Sequence, residues 1–464
     1  MLRSFRLGNH RSFRSEQELL LMPSYDKEQQ VVPVAAVYGA NASGKSNLID
    51  GLRFMASAVR DSFARWDADG GVPRKPFRLD PSARNEPSTF VVELVVEDVR
   101  YTYGFIVDDT RVLEEWLYSY PEKRRRILFE RERDDMKFGT TVHGVQARLE
   151  ALSSLLRPNA LFLSLAGQSK LELLLPVYRW FGRHVSFLGQ DAGSEPERVA
   201  SFLRSGKGRA GRMVELLRVA DLGISGVEFS DDSPEVLETS VRESVARLAV
   251  ADANVKRLES LDGLAGSPDQ REVEGALVDA LQVRNSAFER YVEARSRAEA
   301  LVRKGDPVKL LHGAANEPFA LEDESAGTRS WLGMLPVVLT ALDSGATLVV
   351  DEIDTSLHPV LVLRLVKLFH DKQTNPAGAQ LVFTTHDATL LHPPLAEDPL
   401  ARDEIWFVEK DRSGSSTLYP LTDFKPRAED NLERRYLSGK YGAVPNVLEE
   451  DFIAAMRSGT DGEA

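Results

Sequence analysis

The sequence has no cysteine among its 464 residues. Disulfide bonds and thiolate zinc sites are therefore excluded, and any metal chemistry must use oxygen ligands. Long apolar runs are also lacking, because none approaches the roughly 18 to 20 residues that a membrane helix needs. The first residues do not form a basic segment that leads into an apolar stretch, so no signal peptide is expected. We therefore expect a soluble cytoplasmic protein.

Net positive charge is lacking as well, since the formal net charge is −13 at pH 7. A protein whose whole surface binds nucleic acid is normally basic, so this class is disfavoured. A local basic groove is still compatible with the sequence. Two clusters could contribute to one: Lys123-Arg124-Arg125-Arg126, and Arg204, Lys207, Arg209 and Arg212. The commoner role of such charge runs is to keep a surface solvated.

The chain is long enough for two or three domains, or for one large α/β core with an insertion. Near the start, the apolar residues 31–38 predict a buried strand, and residues 89–96 and 101–107 predict an antiparallel hairpin. Near the end, residues 347–350 and 380–384 predict buried strands separated by a helix. Strands and helices therefore alternate at both ends, which is typical of an α/β protein.

A helical segment lies between these two parts. Residues 235–304 carry apolar side chains mostly at intervals of three, four or seven, which predicts two antiparallel helices. The apolar positions are Leu237, Val241, Val245, Leu248 and Val255 in the first helix and Val273, Leu277, Leu281, Phe288 and Val292 in the second. The spacing is imperfect and places Asp252 at one seam position. A short coiled coil and an ordinary packed helical insert are equally compatible with it.

A glycine-rich loop follows the first buried strand and is the strongest motif. It reads Gly39-Ala40-Asn41-Ala42-Ser43-Gly44-Lys45-Ser46-Asn47 and matches the phosphate-loop pattern. Its glycines let backbone N–H groups wrap a phosphate, and the start of the next helix adds partial positive charge. Lys45 would reach the β and γ phosphates of a nucleotide, and Ser46 would bind Mg²⁺. The sequence therefore predicts a nucleoside triphosphate site here.

A pair of acids follows the strand at residues 347–350. Asp351 at the strand end can hold Mg²⁺ through water, and Glu352 beside it can polarise an attacking water. A later strand ends at His386, where a histidine could contact the γ phosphate. The alternative is that His386 only caps a helix.

A third motif precedes these acids. Asp323-Glu324-Ser325-Ala326-Gly327-Thr328-Arg329 leads into an apolar helix. Ser325 and Gly327 at the helix start can bind a γ phosphate through hydroxyl and backbone donors. The phosphate loop already supplies one helix start that suits a phosphate. A second one on the same chain is expected if each nucleotide is bound between two copies of the protein. An ordinary helix cap is the alternative.

In this order the motifs resemble the ABC ATPase heads, in particular the SMC-like heads, whose signature and acid motifs lie far downstream of the phosphate loop. Within that group the chain is similar to compact bacterial AAA-family ATPases, including the ATPase components of phage-defence systems such as RloA and the PARIS protein AriA. Further stretches support the resemblance: Asn9-His10-Arg11-Ser12-Phe13, Pro76-Phe77-Arg78-Leu79-Asp80, Tyr101-Thr102-Tyr103-Gly104-Phe105, and residues 351–359 and 435–445. The resemblance covers both ends of the chain and little of residues 191–304.

This resemblance implies an α/β fold of the ABC-type, SMC-like head, with a central mixed sheet, an antiparallel β subdomain and an inserted helical region. We expect an N-terminal ATPase lobe over residues 1–140 and a helical lobe over 141–310, with the helical hairpin at 235–304. A C-terminal ATPase lobe would cover residues 311–464.

The resemblance also implies a role for each matching residue. Catalysis would use Glu352 as the general base, His386 as the switch histidine and Lys45. ATP would be bound by Gly39, Asn41, Ala42, Ser43, Gly44, Lys45, Ser46 and Asn47 of one copy and by Ser325, Gly327 and Thr328 of the other. Mg²⁺ would be held by Ser46, Asp351 and a glutamine, for which Gln168 is the first choice and Gln190 the second. Asp354 would couple the two subunits, and Glu324 stands where the usual signature has leucine.

The implied activity is Mg²⁺-dependent ATP hydrolysis by a head-to-tail homodimer or a higher homo-oligomer. No nuclease-like cluster of acids follows His386, so we expect the output in phage defence to come from a protein effector encoded nearby, a nuclease or a toxin. One alternative is a DNA-repair or DNA-end-binding ATPase, in which the basic clusters line a channel for nucleic acid. Another is a scaffold that binds ATP for assembly and turns it over slowly. No membrane partner is expected.

Overall fold

The computed structural model describes residues 1–25, 29–140, 142–189, 196–204, 207–220, 222–229, 234–262, 270–304, 308–355, 357–392, 399–427, 430–445 and 456. The chain divides into two compact units. The first consists of Met1–Gly193 together with Met334–Ala464, and the second is Ser194–Gly333. These limits differ from the expected lobe boundaries at residues 140 and 310. The reason is that strands from both ends of the chain share one sheet and therefore one core.

The strands, in chain order, are β1 Leu2–Gly8, β2 Gln17–Leu20, β3 Val34–Tyr38, β4 Ser88–Val96, β5 Val99–Val107, β6 Val112–Tyr120, β7 Arg126–Glu132, β8 Asp135–Phe138, β9 Val185–Leu188, β10 Ile224–Phe229, β11 Val308–His312, β12 Glu317–Ala320, β13 Thr347–Val350, β14 Gln380–Thr385, β15 Ile405–Lys410 and β16 Ser416–Pro420. The α-helices are α1 Lys45–Arg65, α2 Gln146–Ser153, α3 Phe162–Gln168, α4 Leu175–Arg183, α5 Pro196–Arg204, α6 Lys207–Val219, α7 Pro234–Asp262, α8 Gln270–Lys304, α9 Ala326–Ser344, α10 Pro359–His370 and α11 Leu432–Leu437. None of the described helices combines the length and apolar character that a bilayer span requires.

A mixed sheet forms the centre of the first unit. Its strand order is β16-β15-β3-β14-β13-β9, and all neighbours are parallel except the antiparallel edge pair β15–β16. Every residue of β3, β13 and β14 is buried, because parallel strands covered on both faces must be apolar throughout. The carboxyl ends of β3, β13 and β14 meet at one edge. The loop after β3 and the acids after β13 therefore lie close together.

A seven-stranded antiparallel sheet, ordered β2-β1-β4-β5-β6-β7-β8, completes the strands of this unit. The hairpin predicted for residues 89–96 and 101–107 is confirmed as β4 and β5, which pair from Val96 opposite Val99 onward. Buried aromatic side chains, including Phe5, Phe90 and Phe105, join this sheet to one hydrophobic core with α1. The mixed sheet, the antiparallel sheet and the helices confirm the predicted α/β fold class.

One ion pair is buried inside the antiparallel sheet. Glu115 of β6 is fully buried, and Arg131 Nη1 of β7 lies 3.7 Å from its carboxylate. The same carboxylate accepts hydrogen bonds from the N–H groups of Phe162 and Leu163 at the start of α3 and from the Tyr103 hydroxyl. Burial raises the pKa of Glu115, and Arg131 and these donors oppose that rise. The pair therefore fixes α3 against the sheet.

The second unit contains the antiparallel sheet β10-β11-β12 and the long helices α7 and α8, which occupy the segment predicted as a helical hairpin. Along both helices, buried or half-buried residues recur at alternating intervals of three and four. These positions include Val241, Ser244, Leu248, Ala251, Val255 and Leu258 in α7 and Leu277, Ala280, Arg284, Ala287, Tyr291 and Ala294 in α8. That heptad spacing is the pattern of a coiled-coil seam.

The predicted register of the seam was wrong at three positions. Val245, Phe288 and Val292 are 48%, 53% and 44% exposed, so they lie beside the seam rather than in it. The seam instead uses small residues such as Ala251 and Ala280, which are buried. Small side chains let two helices approach closely, and a search for bulky apolar residues in the sequence does not find them.

Candidate nucleotide site

The loop between β3 and α1 is tightly enclosed by its neighbours. Gly44 has a φ of +118°, which only glycine adopts without strain. A Cβ at Gly44 would overlap the hydroxyl groups of Ser12 and Ser416, and one at Gly39 would overlap the carbonyl oxygen of Val408. The packing around the loop therefore requires both glycines of the motif.

Two serines from distant parts of the sequence brace this loop. Ser12 Oγ accepts a hydrogen bond from Asn47 Nδ2 at 2.7 Å and lies 2.7 Å from Ser416 Oγ. Ser416 Oγ also contacts the carbonyl oxygen of Ser43. Sequence reasoning missed both serines. Ser12 belongs to one of the stretches that carry the resemblance, whereas no motif surrounds Ser416.

The ammonium group of Lys45 is held within the loop. Lys45 Nζ donates to the carbonyl oxygens of Gly39 at 2.7 Å and Ala40 at 3.2 Å. Burial lowers the pKa of Lys45, and the charge of nearby Glu352 is the largest effect that opposes this. The side chain thus stands at the end of the loop with acidic groups close by.

Ser46 and Asp351 are in contact although they come from opposite ends of the chain. Ser46 Oγ donates to Asp351 Oδ1 at 3.1 Å. Adjacent ligands of an octahedral magnesium ion, each about 2.1 Å from the metal, lie about 3 Å apart, so these two oxygens fit one ion. Among the described residues, no group of three histidine, aspartate or glutamate side chains could hold a metal alone. The remaining ligands would be nucleotide oxygens and water, as is common for Mg²⁺.

Thr384 near the end of β14 organises both acids, and sequence reasoning did not identify it. Its hydroxyl donates to Asp351 Oδ1 at 2.7 Å and accepts from Glu352 N at 2.7 Å. Glu352 has a φ of +53°, a conformation that is uncommon for residues other than glycine. The signal that could have found Thr384 is its place near the end of β14, two residues before His386 in the sequence.

His386 and Asp354 contact each other. His386 Nδ1 lies 2.9 Å from Asp354 Oδ2, with the histidine side chain 59% exposed and the aspartate 6% exposed. The turn after His386 is capped by Asp387, whose carboxylate accepts from Thr389 N. His386 therefore does not cap this turn, and the alternative interpretation of it as a helix cap was wrong.

The phosphate loop, Glu352 and His386 line one cavity of about 390 Å³. Its lining residues are Asn41, Ala42, Ser43, Gly44, Lys45, Ser46, Asn47, Glu352, His386 and Lys410. Ser43 Oγ is buried and has no hydrogen-bond partner within the described ranges, so it can serve a ligand oxygen. Lys410, at the end of β15, adds a cation that the motifs did not predict.

A neighbouring cavity of about 440 Å³ shares Asn47 and Lys410 with the first. Its other lining residues are Arg11, Ser12, Lys75, Pro76, Phe77, Arg78, Leu79 and Gly414. Asp50 of α1 holds two of these cations, because its carboxylate pairs with Arg11 and with Lys75. The two cavities together provide a polar end at the phosphate loop and a partly apolar, cationic end beside it.

Gln168 is not part of this site, so the first choice for the magnesium glutamine was wrong. Its side-chain amide donates to the carbonyl oxygen of Arg60 at 3.4 Å. Residues 46 and 60 of α1 are separated by about 21 Å of helix, which no glutamine side chain can span. The second choice, Gln190, lies outside the described residues.

The third motif lies in the second unit, where Ser325 caps α9. Its hydroxyl accepts from Thr328 N at 3.1 Å and lies 2.9 Å from Thr328 Oγ1. Thr328 is only 5% exposed and its side chain supports the cap, and its predicted contact with ATP stays a prediction. Ser325 is exposed and Gly327 half-buried. A hydroxyl that accepts one hydrogen bond still carries its own donor, so Ser325 can cap the helix and donate to a phosphate.

The sequence from residue 34 to residue 392 matches the family model described as "AAA domain, putative AbiEii toxin, Type IV TA system". No curated protein sequence matches the chain. Similar solved structures include the Smc head domain from Pyrococcus furiosus with an extended coiled coil, bound to the C-terminal domain of ScpA. The identity is 14%, the TM-score is 0.38, and the match covers 91% of this chain and 97% of that chain.

A second similar structure is an Smc head bound to the C-terminal winged-helix domain of ScpA, at 14% identity and a TM-score of 0.43. The match covers 92% of this chain and 99% of that chain.

Proposed function

The chain belongs to the AAA-domain family that its sequence matches from residue 34 to residue 392, and on this premise we propose that it is a magnesium-dependent ATPase in which two copies close head to tail around ATP. The observation that carries the proposal is the convergence of Lys45, Ser46 and Glu352 on one cavity, with Asp351 in contact with Ser46. These groups supply the charge neutralisation, metal binding and base that phosphoryl transfer to water requires.

Each side chain has a chemical task in this proposal. Lys45 exchanges the carbonyl oxygens of its own loop for oxygens of the triphosphate. Ser46 and Asp351 would hold Mg²⁺, which neutralises developing charge on the phosphate oxygens when it is bound. Glu352 accepts a proton from the attacking water. His386, mostly exposed beside Glu352, would donate to the γ phosphate.

The neighbouring cavity would take the nucleoside. It begins at Asn47, directly after the residues proposed for the phosphates, and its wall includes the buried ring of Phe77. The partly apolar lining suits a base, and the cations Arg11 and Lys75 suit the adjacent phosphates.

The head-to-tail arrangement rests on the second helix start. Ser325 at the start of α9 has an exposed side chain, and its hydroxyl can donate to a γ phosphate when Thr328 Oγ1 is the donor of the contact between them. The phosphate loop already provides one such helix start for each nucleotide. Each copy therefore offers one site of each kind, and a symmetric pair of copies completes two nucleotide sites.

Mixing two inactive variants tests this arrangement. The Lys45→Ala chain lacks the lysine of the phosphate loop and keeps Ser325. The Ser325→Arg chain blocks its own helix start and keeps Lys45. Each variant alone should be inactive. An equimolar mixture should recover about a quarter of wild-type ATP hydrolysis, because half of the dimers are mixed and each has one intact site. Folded variants that fail to complement each other would contradict the head-to-tail dimer.

The magnesium glutamine provides a second prediction. Asp351 N donates to the carbonyl oxygen of Leu188 at the end of β9, and Gln190 follows Leu188 by two residues in the sequence. We therefore propose Gln190 as the ligand. The Gln190→Ala variant should need about tenfold more Mg²⁺ for half-maximal ATP hydrolysis. Gln168→Ala is the matched control and should need no more than the wild type. An unchanged Mg²⁺ requirement in Gln190→Ala would contradict the proposed ligand.

The biological role that we propose is a cytoplasmic sensor ATPase of a bacterial phage-defence system, which controls a protein effector such as a nuclease or toxin. The family description refers to a toxin of a toxin–antitoxin system, which supports a role in a paired system. The resemblance to the ATPase components RloA and AriA points the same way.

Binding of DNA is the second candidate function. Lys123, Arg124, Arg125 and Arg126 are exposed at the β6–β7 turn, but Arg125 already pairs with Glu130. Duplex binding that weakens with salt and changes with ATP would favour this candidate over the effector-control role.

A further inference from the structure

Glu324, the residue that replaces leucine in the usual signature, has a specific partner in the second unit. Its carboxylate Oε1 lies 2.7 Å from His312 Nε2. The Glu324 side chain is 8% exposed and the His312 side chain 26% exposed. His312 is the last residue of β11, and its ring packs edge-on against Phe319 of β12, with the ring centroids 5.0 Å apart. The small sheet thus holds the histidine in place.

The backbone of Glu324 is held as well as its side chain. Arg329 Nη1 donates to the carbonyl oxygen of Glu324 at 2.6 Å. Glu324 directly precedes Ser325, whose hydroxyl caps the helix. The orientation of Ser325 therefore depends on Glu324, whose side chain is held by His312 and whose backbone carbonyl group is held by Arg329.

A carboxylate at this position needs such a partner for an electrostatic reason. The start of α9 suits a phosphate because its N–H groups and helix dipole favour negative charge. A carboxylate one residue before that start would repel the same phosphate, and this repulsion is stronger where water is excluded. The contact with His312 ties the Glu324 carboxylate to the end of β11, which limits its approach to a phosphate at Ser325.

We propose that His312 is a positioning residue for ATP hydrolysis in the partner copy, acting through Glu324 to keep the start of α9 competent for the γ phosphate. This inference rests on the proposed function. It predicts that the effect of a His312 variant is felt at the nucleotide held by the other subunit and not at the nucleotide held by its own phosphate loop.

The complementation mixture tests this directly. When His312→Ala is added to the Lys45→Ala chain, which supplies the working helix start, the recovered ATP hydrolysis should fall about tenfold, as expected for loss of a hydrogen bond to a charged group. When the same substitution is added to the Ser325→Arg chain, whose helix start is already blocked, the recovered activity should be unchanged. Equal losses in both arrangements, or no loss in either, would overturn the proposal.

Two further variants separate positioning from folding. Glu324→Gln keeps the shape of the side chain and can still bond to His312, so in the Lys45→Ala chain it should keep most of the complementation. Glu324→Ala removes the anchor before Ser325 and also the charge that would repel the phosphate, so its loss should be no larger than that of His312→Ala. The double variant should resemble Glu324→Ala, because His312 acts only through Glu324. Additive losses would count against the proposal. Failure of the unmodified mixture to complement would instead count against the dimer itself.

Discussion

Replacing Glu352 with glutamine is expected to slow ATP hydrolysis by about 10²- to 10⁴-fold while ATP binding is retained. The amide has the shape of the carboxylate but cannot accept a proton from water. Lys45, Ser46 and Asp351 keep their contacts in this variant, so the triphosphate is still held. Because closure would no longer be followed by hydrolysis, an ATP-bound dimer should accumulate. Turnover by phosphate release and mass by light scattering, with and without ATP, measure the two effects.

Glu18→Gln is the matched control for this substitution. Glu18 is an exposed acid on β2, and its conversion to the amide should change neither turnover nor mass. An active Glu352→Gln variant would show that another group accepts the proton. An inactive variant that remains a monomer with ATP would contradict closure around the nucleotide.

The same variant distinguishes the biological alternatives. If cycles of hydrolysis control an effector, Glu352→Gln should abolish protection of cells against phage. If the protein is an assembly scaffold that only needs bound ATP, the variant should protect as well as the wild type. Protection that requires Lys45 but not Glu352 would therefore favour the scaffold.

Removing the Glu115 carboxylate should lower the free energy of unfolding by about 3–5 kcal/mol, because Glu115→Ala leaves the Arg131 guanidinium buried without its counter-ion. The substitution also removes the acceptor for two backbone N–H groups, those of Phe162 and Leu163, which are buried at the start of α3. Chemical unfolding followed by far-ultraviolet circular dichroism measures the loss.

An exposed pair in the same sheet provides the comparison. Arg125 Nη2 lies 3.2 Å from Glu130 Oε1, with the two side chains 52% and 36% exposed. Glu130→Ala should cost no more than about 1 kcal/mol, because solvent screens exposed pairs. Similar losses for Glu115→Ala and Glu130→Ala would mean that the buried carboxylate does not anchor α3.

The sequence by itself determined the α/β fold class and the short motifs whose chemistry depends on neighbouring residues. The phosphate loop from Gly39 to Asn47, the acids Asp351 and Glu352, and His386 could be chosen because each follows an apolar strand at a spacing that its chemistry requires. Parallel strands then bring these strand ends to one edge of the sheet, where the loop, Glu352 and His386 line a single cavity and Asp351 contacts Ser46 of that loop.

Only the tertiary structure decided which distant residues meet. The site is supported by three residues that contact segments far away in the sequence: Ser12, Thr384 and Ser416. A local sequence pattern does not predict such contacts. The seam of α7 and α8 was misplaced because close helix approach selects small residues, whereas the sequence draws attention to large ones. The prediction of Gln168 as a magnesium ligand was wrong for a related reason. The sequence pattern does not show that Gln168 contacts Arg60, which lies far along α1 from Ser46. His312 became the partner of Glu324 because β11 returns beside the start of α9, and residue spacing alone cannot show that return.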